Sequence, residues 1–294
     1  MKTLEKNAIN VWGEPGKLWL NQLADIIAQL SDHWNLSNIE AVTNMSYNYV
    51  AKSLRKNNTP VVLKFSCDKE LIANEYRTLK HFKGQGSIKV FDIHRGLNAL
   101  LLEQAIPGDL LKNHHLNNIK GTIKIYATVI KALASGPNSA KEYLHVKKWC
   151  EAIDRIADHR IKAIFINKAK MLRNFLFQTK PKEYLCHADL HLENIISHGN
   201  KWLSIDLKGV IGEMASEAAA FDLIGKNEWS ESETIKNKII TRVKLLANEL
   251  TIDKNRLLAW IFLRIIISAQ WFIEDNGDPT EMLNLAANVY PLLD

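Results

Sequence analysis

The chain of 294 residues is 47% hydrophobic and 24% charged, a balance that predicts a folded globular protein and excludes a largely disordered one. Its formal net charge of +6 would suit a nucleic acid or a polyphosphate as partner. The basic residues are scattered, however, and the longest clusters are pairs such as Lys147-Lys148. The charge therefore favours a solvated basic surface over nucleic-acid binding.

The cysteines and the apolar segments indicate the compartment. Cys67, Cys150 and Cys186 are widely spaced and form no C-x-x-C pair, which argues against a disulfide framework and a zinc site. The N-terminus lacks the apolar core of a signal peptide. The most apolar stretch, 261–273, is expected to be too short for a membrane span, and it carries Arg264. We therefore expect a cytoplasmic protein that does not contact a membrane.

The first third of the chain alternates between helical and β-prone patterns, punctuated by polar turn residues. In chain order, the predicted elements are a helix at 15–34, strands at 39–42, 47–53 and 60–65, a helix at 68–82, and strands at 88–93 and 99–103. This order predicts a small five-stranded antiparallel sheet with one helix inserted after the third strand.

The pattern becomes mostly helical beyond the Pro107-Gly108 pair. Helical spacing runs over 119–178 with a break at 136–137, a β-rich patch covers 184–205, and helices return from 216 with a break at 277–279. The fold class we expect is α+β and bilobal, with a small antiparallel-sheet N-lobe at 1–105 and a mostly helical C-lobe at 106–294.

The sharpest functional signal is the segment His-Ala-Asp-Leu-His-Leu-Glu-Asn at 187–194. An Asp between two β-like runs, followed five residues later by Asn, is the spacing of a kinase catalytic loop. Asp189 would accept the proton of an attacking hydroxyl, and Asn194 would bind Mg²⁺ through its carbonyl oxygen. Asp206 ends the next β-like run and supplies the second oxygen ligand that Mg²⁺ needs. Each residue alone would be an ordinary turn residue, but their order favours the functional interpretation.

Two histidines flank the predicted base and allow two interpretations. His187 and His191 could be metal ligands, since H-x-D-x-H superficially resembles a transition-metal site. The H-x-D-x-H pattern itself contains no cysteine and no third histidine. We therefore favour the alternative that the two histidines hydrogen-bond the loop and position Asp189.

The N-lobe should supply the nucleotide site. Lys64 interrupts an apolar strand, and a lysine is rarely buried without a partner. Glu75 in the next helix is the favoured partner, with Glu70 as a weaker rival, and such a Lys–Glu pair orients the phosphates of ATP in kinases.

Two further segments complete the predicted nucleotide site. The loop 43–48 lies where a phosphate-covering loop should be, but it lacks the glycines of that loop, so backbone N–H groups with Ser46 and Asn48 would do the work. The segment 101–105, with Glu103 and Ala105, would form the hinge that binds adenine. The P-loop pattern G-x-x-x-x-G-K-[ST] does not occur in the sequence.

Along almost its whole length the chain resembles the aminoglycoside/hydroxyurea resistance kinase family, in particular its streptomycin 6-phosphotransferases. The matching segments are Trp-Gly-Glu-Pro-Gly at 12–16, the hinge at 102–108, H-x-D-L-H-x-x-N at 187–194, Ile-Asp-Leu-Lys-Gly at 205–209, Gly-Glu at 212–213 and the Trp-containing 268–275. Two positions depart from the family pattern: Leu207 replaces a proline, and Ala188 replaces a commoner glycine. The resemblance implies a protein-kinase-like fold, ATP and Mg²⁺ as cofactors, and the roles assigned above.

The resemblance also implies that the C-lobe near Glu274 and Asp275 lines the acceptor pocket, with Lys208 and Glu213 as further candidates. A polycationic aminoglycoside would need an acidic pocket, for which the candidate carboxylates are Glu213, Glu217, Glu228, Glu231, Glu274, Asp275 and Asp278. Two alternatives stay open: a kinase for hydroxyurea or a neutral metabolite, and a catalytically idle nucleotide-binding protein that recognises a partner.

Overall fold

The computed structural model describes residues 1–115, 118–134, 142–179, 181–225, 228–229 and 232–293. Two compact units share the chain. The first consists of Met1–Gly108 and Ser197–Leu203, and the second of Asp109–Ile196 and Ser204–Asp294. Pattern and spacing give no sign of the return of Ser197–Leu203 to the first unit, and the division at 105/106 stays a prediction.

A five-stranded antiparallel sheet is the main feature of the first unit. Its strands are β1 (Leu36–Ala41), β2 (Tyr49–Arg55), β3 (Pro60–Phe65), β4 (Val90–His94) and β5 (Ala99–Glu103), in the spatial order β1-β2-β3-β5-β4. Helix α3 (Lys69–Phe82) follows β3, and Asp68 caps it by accepting hydrogen bonds from the N–H groups of Glu70 and Leu71. The predicted sheet and its inserted helix are confirmed.

The N-terminal helices differ from the single helix predicted over 15–34. Helix α1 (Lys2–Asn21) begins much earlier and kinks at Gly13, whose φ of 58° is open to glycine. Helix α2 (Leu23–Trp34) then follows after a break at Gln22. At Gly16, a Cβ atom would lie 2.2 Å from the carbonyl oxygen of Ala8, so the two halves of α1 pack closely only because residue 16 is glycine.

The second unit is mostly helical. Its helices are α4 (Lys112–His115), α5 (Ile119–Ala134), α6 (Val146–Cys150), α7 (Ala163–Gln178), α8 (Met214–Ala218), α9 (Ser232–Leu250), α10 (Lys254–Glu274) and α11 (Thr280–Val289). The strands that lie wholly in this unit are β7 (Leu144–His145), β8 (Glu183–Cys186) and β11 (Val210–Glu213), whereas β6 (Pro107–Leu110), β9 (Ile195–His198) and β10 (Lys201–Ser204) include residues of both units. Strand β11 lies between β7 and β8 in a three-stranded sheet.

Helix α10 contains the apolar stretch that was expected to be too short for a membrane span. That length argument is wrong, because the helix extends over 21 residues and has the hydropathy of a candidate span. However, 67% of the candidate window is buried inside the protein. Its apolar composition is therefore explained by its packing as a core helix of the second unit.

Candidate active site

Strands β8 and β11 bring the start of the 187–194 loop close to the end of the 205–209 loop. They pair antiparallel with Val210 opposite Cys186, so the residue that follows β8 and the residue that precedes β11 are neighbours. The N–H groups of Lys208 and Gly209 both donate to the carbonyl oxygen of His187, at 3.0 and 3.3 Å. The 187–194 loop and the 205–209 loop are thus joined at their bases.

The imidazole ring of His187 is buried and makes a second connection between these loops. Its Nε2 donates to the carbonyl oxygen of Ile205 at 2.6 Å, and its Nδ1 accepts the N–H of Asp189 at 3.2 Å. Burial lowers the pKa of His187 to about 4, so the ring is neutral, with its proton on Nε2. Because both ring nitrogens are engaged, the geometry matches the loop-positioning interpretation and leaves no nitrogen for a metal.

Asp189 has an ion-pair partner that the pattern analysis did not assign. Its Oδ1 accepts a hydrogen bond from Arg264 Nη2 at 3.2 Å, while the side chain keeps 39% of its surface exposed. The Asp189 carbonyl oxygen accepts the backbone N–H of His191 at 3.0 Å and the side-chain amide of Asn194 at 2.8 Å. A partly exposed carboxylate on a tightly bonded loop is suited to accept a proton from a bound hydroxyl.

Asn194 and Asp206 provide the oxygen donors expected of a magnesium site. The side-chain nitrogen of Asn194 donates to the Asp189 carbonyl oxygen, and this bond fixes the orientation of the amide. The side-chain oxygen of Asn194 then remains as the potential metal ligand. The N–H of Ile205 donates to the Asn194 backbone carbonyl at 3.0 Å, which ties the residue before Asp206 to the same loop. One amide and one carboxylate oxygen fit Mg²⁺, which keeps several waters and phosphate oxygens as its other ligands. Among the described residues, no cluster of His, Cys, Asp and Glu offers a rival metal site.

In the first unit, Lys64 and Glu75 form a buried ion pair. The Lys64 Nζ lies 2.8 Å from Oε1 and 2.6 Å from Oε2 of Glu75. Strand β3 and helix α3 carry the two side chains, and only 4% and 3% of their surfaces are exposed. Glu70, the weaker rival, lies in the first turn of α3, where its N–H donates to Asp68.

The structure places the other predicted nucleotide contacts as follows. Ser46 is exposed, and its carbonyl oxygen accepts the side-chain amide of Asn7 at 3.0 Å. Asn48 is half-buried, and its Oδ1 has no hydrogen-bond partner among the described residues. Glu103 accepts the N–H of Lys89 at 3.0 Å, and Ala105 is buried. Their roles in binding the nucleotide stay predictions.

Most of the candidate acceptor carboxylates are engaged within the second unit. Glu213 binds Arg256 at 2.5 and 2.6 Å and accepts the indole N–H of Trp260 at 2.6 Å. Arg155 binds both oxygens of Glu274, at 2.9 and 3.2 Å. Three more candidates are accounted for in the same unit: Glu228 pairs with Arg242, Asp278 binds Thr280, and Glu217 is buried.

Three candidates remain to be placed. Asp275 is exposed at the C-terminal end of α10, where it is the C-cap residue. Lys208 is half-buried within the 205–209 loop. Glu231 lies outside the described residues.

Sequence reasoning missed two residues that support the loop. Arg264 was noted only as a charge in an apolar stretch, and that isolated charge was the signal that it needs a buried partner. Asp222 accepts the N–H of Leu192 at 2.8 Å and so anchors the loop from the segment after α8. It likewise stands alone in an apolar run, at the end of Ala-Ala-Ala-Phe.

Known proteins match this chain over most of its length. The family model for aminoglycoside/hydroxyurea antibiotic resistance kinases matches residues 33–276, and the chain belongs to this family. Streptomycin 6-kinase of Streptomyces griseus is 24% identical over 278 residues, which are 90% of this chain and 87% of that protein. Streptomycin 3''-kinase of Klebsiella pneumoniae is 28% identical over 231 residues, which are 76% of this chain and 83% of that protein.

A solved structure shows the fold. It is a thermostable mutant of an aminoglycoside phosphotransferase in a ternary complex with ADP and hygromycin B, with a TM-score of 0.67. The match covers 90% of this chain and 97% of that one at 14% identity. The predicted protein-kinase-like fold is therefore confirmed, and with the family membership the chain is an ATP-dependent small-molecule kinase.

Replacing Lys64 by Met should strongly destabilise the first unit. The substitution leaves the Glu75 carboxylate buried without this cation, which typically costs about 3–5 kcal/mol of unfolding free energy. The double variant Lys64→Met/Glu75→Leu should recover most of that loss, because it removes both charges. Urea unfolding of both variants is the measurement, with Lys17→Met as the exposed-pair control, for which we expect a loss of less than about 1 kcal/mol. If Lys64→Met had the same unfolding free energy as Lys17→Met, this result would contradict the buried ion pair.

The buried neutral His187 should make stability fall in acid. Its native pKa of about 4 lies below the ordinary 6.5, so between these pH values the unfolded state binds more protons. The contribution of His187 to the unfolding free energy should therefore be fully present above pH 6.5. It should fall as the pH drops towards 4, by roughly 3 kcal/mol in total. In His187→Gln this component is absent, so its stability curve should be shallower between pH 6.5 and 4. Parallel curves for the two proteins would show that His187 is not buried neutral.

Proposed function

We propose that this kinase transfers the γ-phosphate of Mg·ATP to a hydroxyl group of an aminoglycoside such as streptomycin. The observation that carries the proposal is the joining of the Asp189–Asn194 loop to the Asp206 loop through His187. The relatives named as streptomycin kinases support the acceptor class, and they are named for two different positions on it.

The proposed reaction assigns one task to each residue. Asp189 accepts the proton of the acceptor hydroxyl as its oxygen forms a bond to the γ-phosphorus and the bond to the bridging oxygen of ADP breaks. Lys64, held by Glu75, binds the nucleotide phosphates. Asn194 and Asp206 would hold Mg²⁺, which when bound neutralises the charge on the phosphoryl oxygens. Positioning of the two oxygens in line, together with electrostatic stabilisation of the phosphoryl group, provides most of the rate enhancement.

A neutral acceptor, such as hydroxyurea or a hydroxylated metabolite, is the second candidate. The observation in its favour is that Glu213, Glu228 and Glu274 are each paired with an arginine of the same unit. A carboxylate that is already paired offers little net charge to a polycation. The family that the chain belongs to includes hydroxyurea among its named substrates.

Substituting the proposed base should abolish turnover. Asp189→Asn keeps the shape of the side chain but removes its basicity, so kcat should fall by at least about two orders of magnitude. ADP formation is measured with Mg·ATP against streptomycin, other aminoglycosides, hydroxyurea and hydroxylated metabolites. Asp25→Asn on the exposed face of α2 is the control and should turn over like wild type. Wild-type kcat in Asp189→Asn would refute the assignment of the base.

The ionic-strength dependence of KM should separate the two acceptor classes. At 0.1 M salt, charges are screened over about 10 Å, so KM for a polycationic acceptor should rise steeply between low and high salt. KM for a neutral acceptor should stay nearly constant, and KM for ATP measured in parallel reports the effect of salt on the nucleotide alone. A KM for streptomycin that does not depend on salt would exclude recognition through acidic groups.

A further inference from the structure

The residue before the proposed base has an unusual backbone conformation. Ala188 is buried and has a φ of 76°, in the left-handed region that favours glycine. For an alanine this conformation costs about 1–2 kcal/mol, so the surrounding structure must hold it in place. The two polar groups of its backbone show which residues do so.

Glu217 in α8 holds the N–H side. Its Oε2 accepts the backbone N–H of Ala188 at 3.1 Å. The side chain is buried, with 4% of the residue exposed, and its Oε1 has no hydrogen-bond partner among the described residues. Burying a carboxyl group with one oxygen unbonded costs folding free energy. The hydrogen bond to the Ala188 N–H is the contact that gives this buried group a role.

Arg264 in α10 holds the carbonyl side. Its Nη1 donates to the carbonyl oxygen of Ala188 at 3.0 Å, and its Nη2 donates to Oδ1 of Asp189 at 3.2 Å. The guanidinium also lies over the ring of Trp149, 5.9 Å from its centroid. One planar group thus connects the strained peptide directly to the proposed catalytic carboxylate.

We propose that Glu217 and Arg264 are positioning residues that hold the Ala188 backbone from both sides and thereby fix the Asp189 carboxylate for proton transfer. The kinetic part of this proposal rests on the proposed phosphotransferase function, whereas the contacts themselves can be tested without activity. Neither residue needs to touch the nucleotide or the acceptor for this role.

The surroundings of Glu217 provide a readout for its contact with Ala188. Burial, as the main cause, raises its pKa to about 7. The titratable and charged groups that face it are Cys186 at the end of β8, Tyr126 of α5, Arg264 of α10, and Asp189. Of these, Arg264 lowers the pKa of Glu217 and Asp189 raises it. Ionisation of Glu217 near neutral pH should therefore change the hydrogen bond that the Ala188 N–H donates.

The first test is an NMR titration of the full-length protein without substrate. The amide proton shift of Ala188 should titrate in wild type with a midpoint near the pKa of about 7, and it should lose that transition in Glu217→Gln. Glu217→Gln retains an oxygen that can accept the same N–H, so the loop should stay in place. An Ala188 amide shift that does not change with pH in wild type, or titrates identically in Glu217→Gln, would overturn the role of Glu217.

The second test separates positioning from general stability. Arg264→Lys keeps the charge but lacks the two fixed N–H donors of the guanidinium that reach the Ala188 carbonyl and the Asp189 carboxylate, so kcat should fall about tenfold or more with KM for ATP nearly unchanged. Arg173→Lys is the matched control, because the Arg173 side chain in α7 has the same exposed fraction as that of Arg264, 21%, and it pairs with Asp154 and not with the loop. Normalised to the folded fraction, equal kcat values for the two variants would refute the role of Arg264.

A matched pair at position 217 completes the kinetic test. Glu217→Ala should lower kcat about tenfold or more, whereas Glu217→Gln should stay near the wild-type value with an altered pH profile. Equal kcat values for wild type, Glu217→Ala and Glu217→Gln would contradict positioning. If wild type phosphorylates no acceptor, the proposed function fails, and the NMR titration still decides whether Glu217 holds Ala188.

Discussion

The site in the second unit depends on one buried, neutral histidine. The ring of His187 joins Asp189 to Ile205. The backbone carbonyl oxygen of His187 accepts the N–H groups of Lys208 and Gly209. A protonated ring could not accept the Asp189 N–H, because both of its nitrogens would then be donors. The burial that lowers the pKa of His187 therefore also keeps Nδ1 able to accept the N–H of Asp189, the proposed base.

The supports of Asp189 come from elements that are far apart in the chain. The β8–β11 pairing brings residues 187 and 209 together, Asp222 holds Leu192, and Arg264 reaches the carboxylate from α10. Such a loop leaves the Asp189 carboxylate little freedom to move, which suits a group proposed to accept a proton during phosphoryl transfer. The isolated charges at positions 222 and 264 are explained by this shared task.

Local patterns were sufficient to predict the sheet of the first unit, because alternation and turn residues act within a few positions. They failed where distant contacts decide. Helix α1 extends back to Lys2 because its first half is packed against Gly16, and β11 becomes a strand through its pairing with β8. The catalytic spacing of Asp189 and Asn194 was readable for the same reason as the sheet, whereas the arginine that contacts Asp189 lies 75 positions away.

The pairing of the candidate acceptor carboxylates also depends on distant contacts that local sequence patterns do not show. In sequence, Glu213 and Glu274 are free acidic residues, but the fold pairs them with Arg256 and Arg155. A polycation would have to compete with these arginines, and the Glu213 pair has only 15% and 8% of its side chains exposed, so opening it would leave a buried arginine without its carboxylate. Glu213 is therefore better understood as a support of α10, the helix that carries Arg264. Glu213 in β11 is therefore a poor contact for a cationic acceptor, whereas the exposed pair of Arg155 and Glu274 would cost little to open.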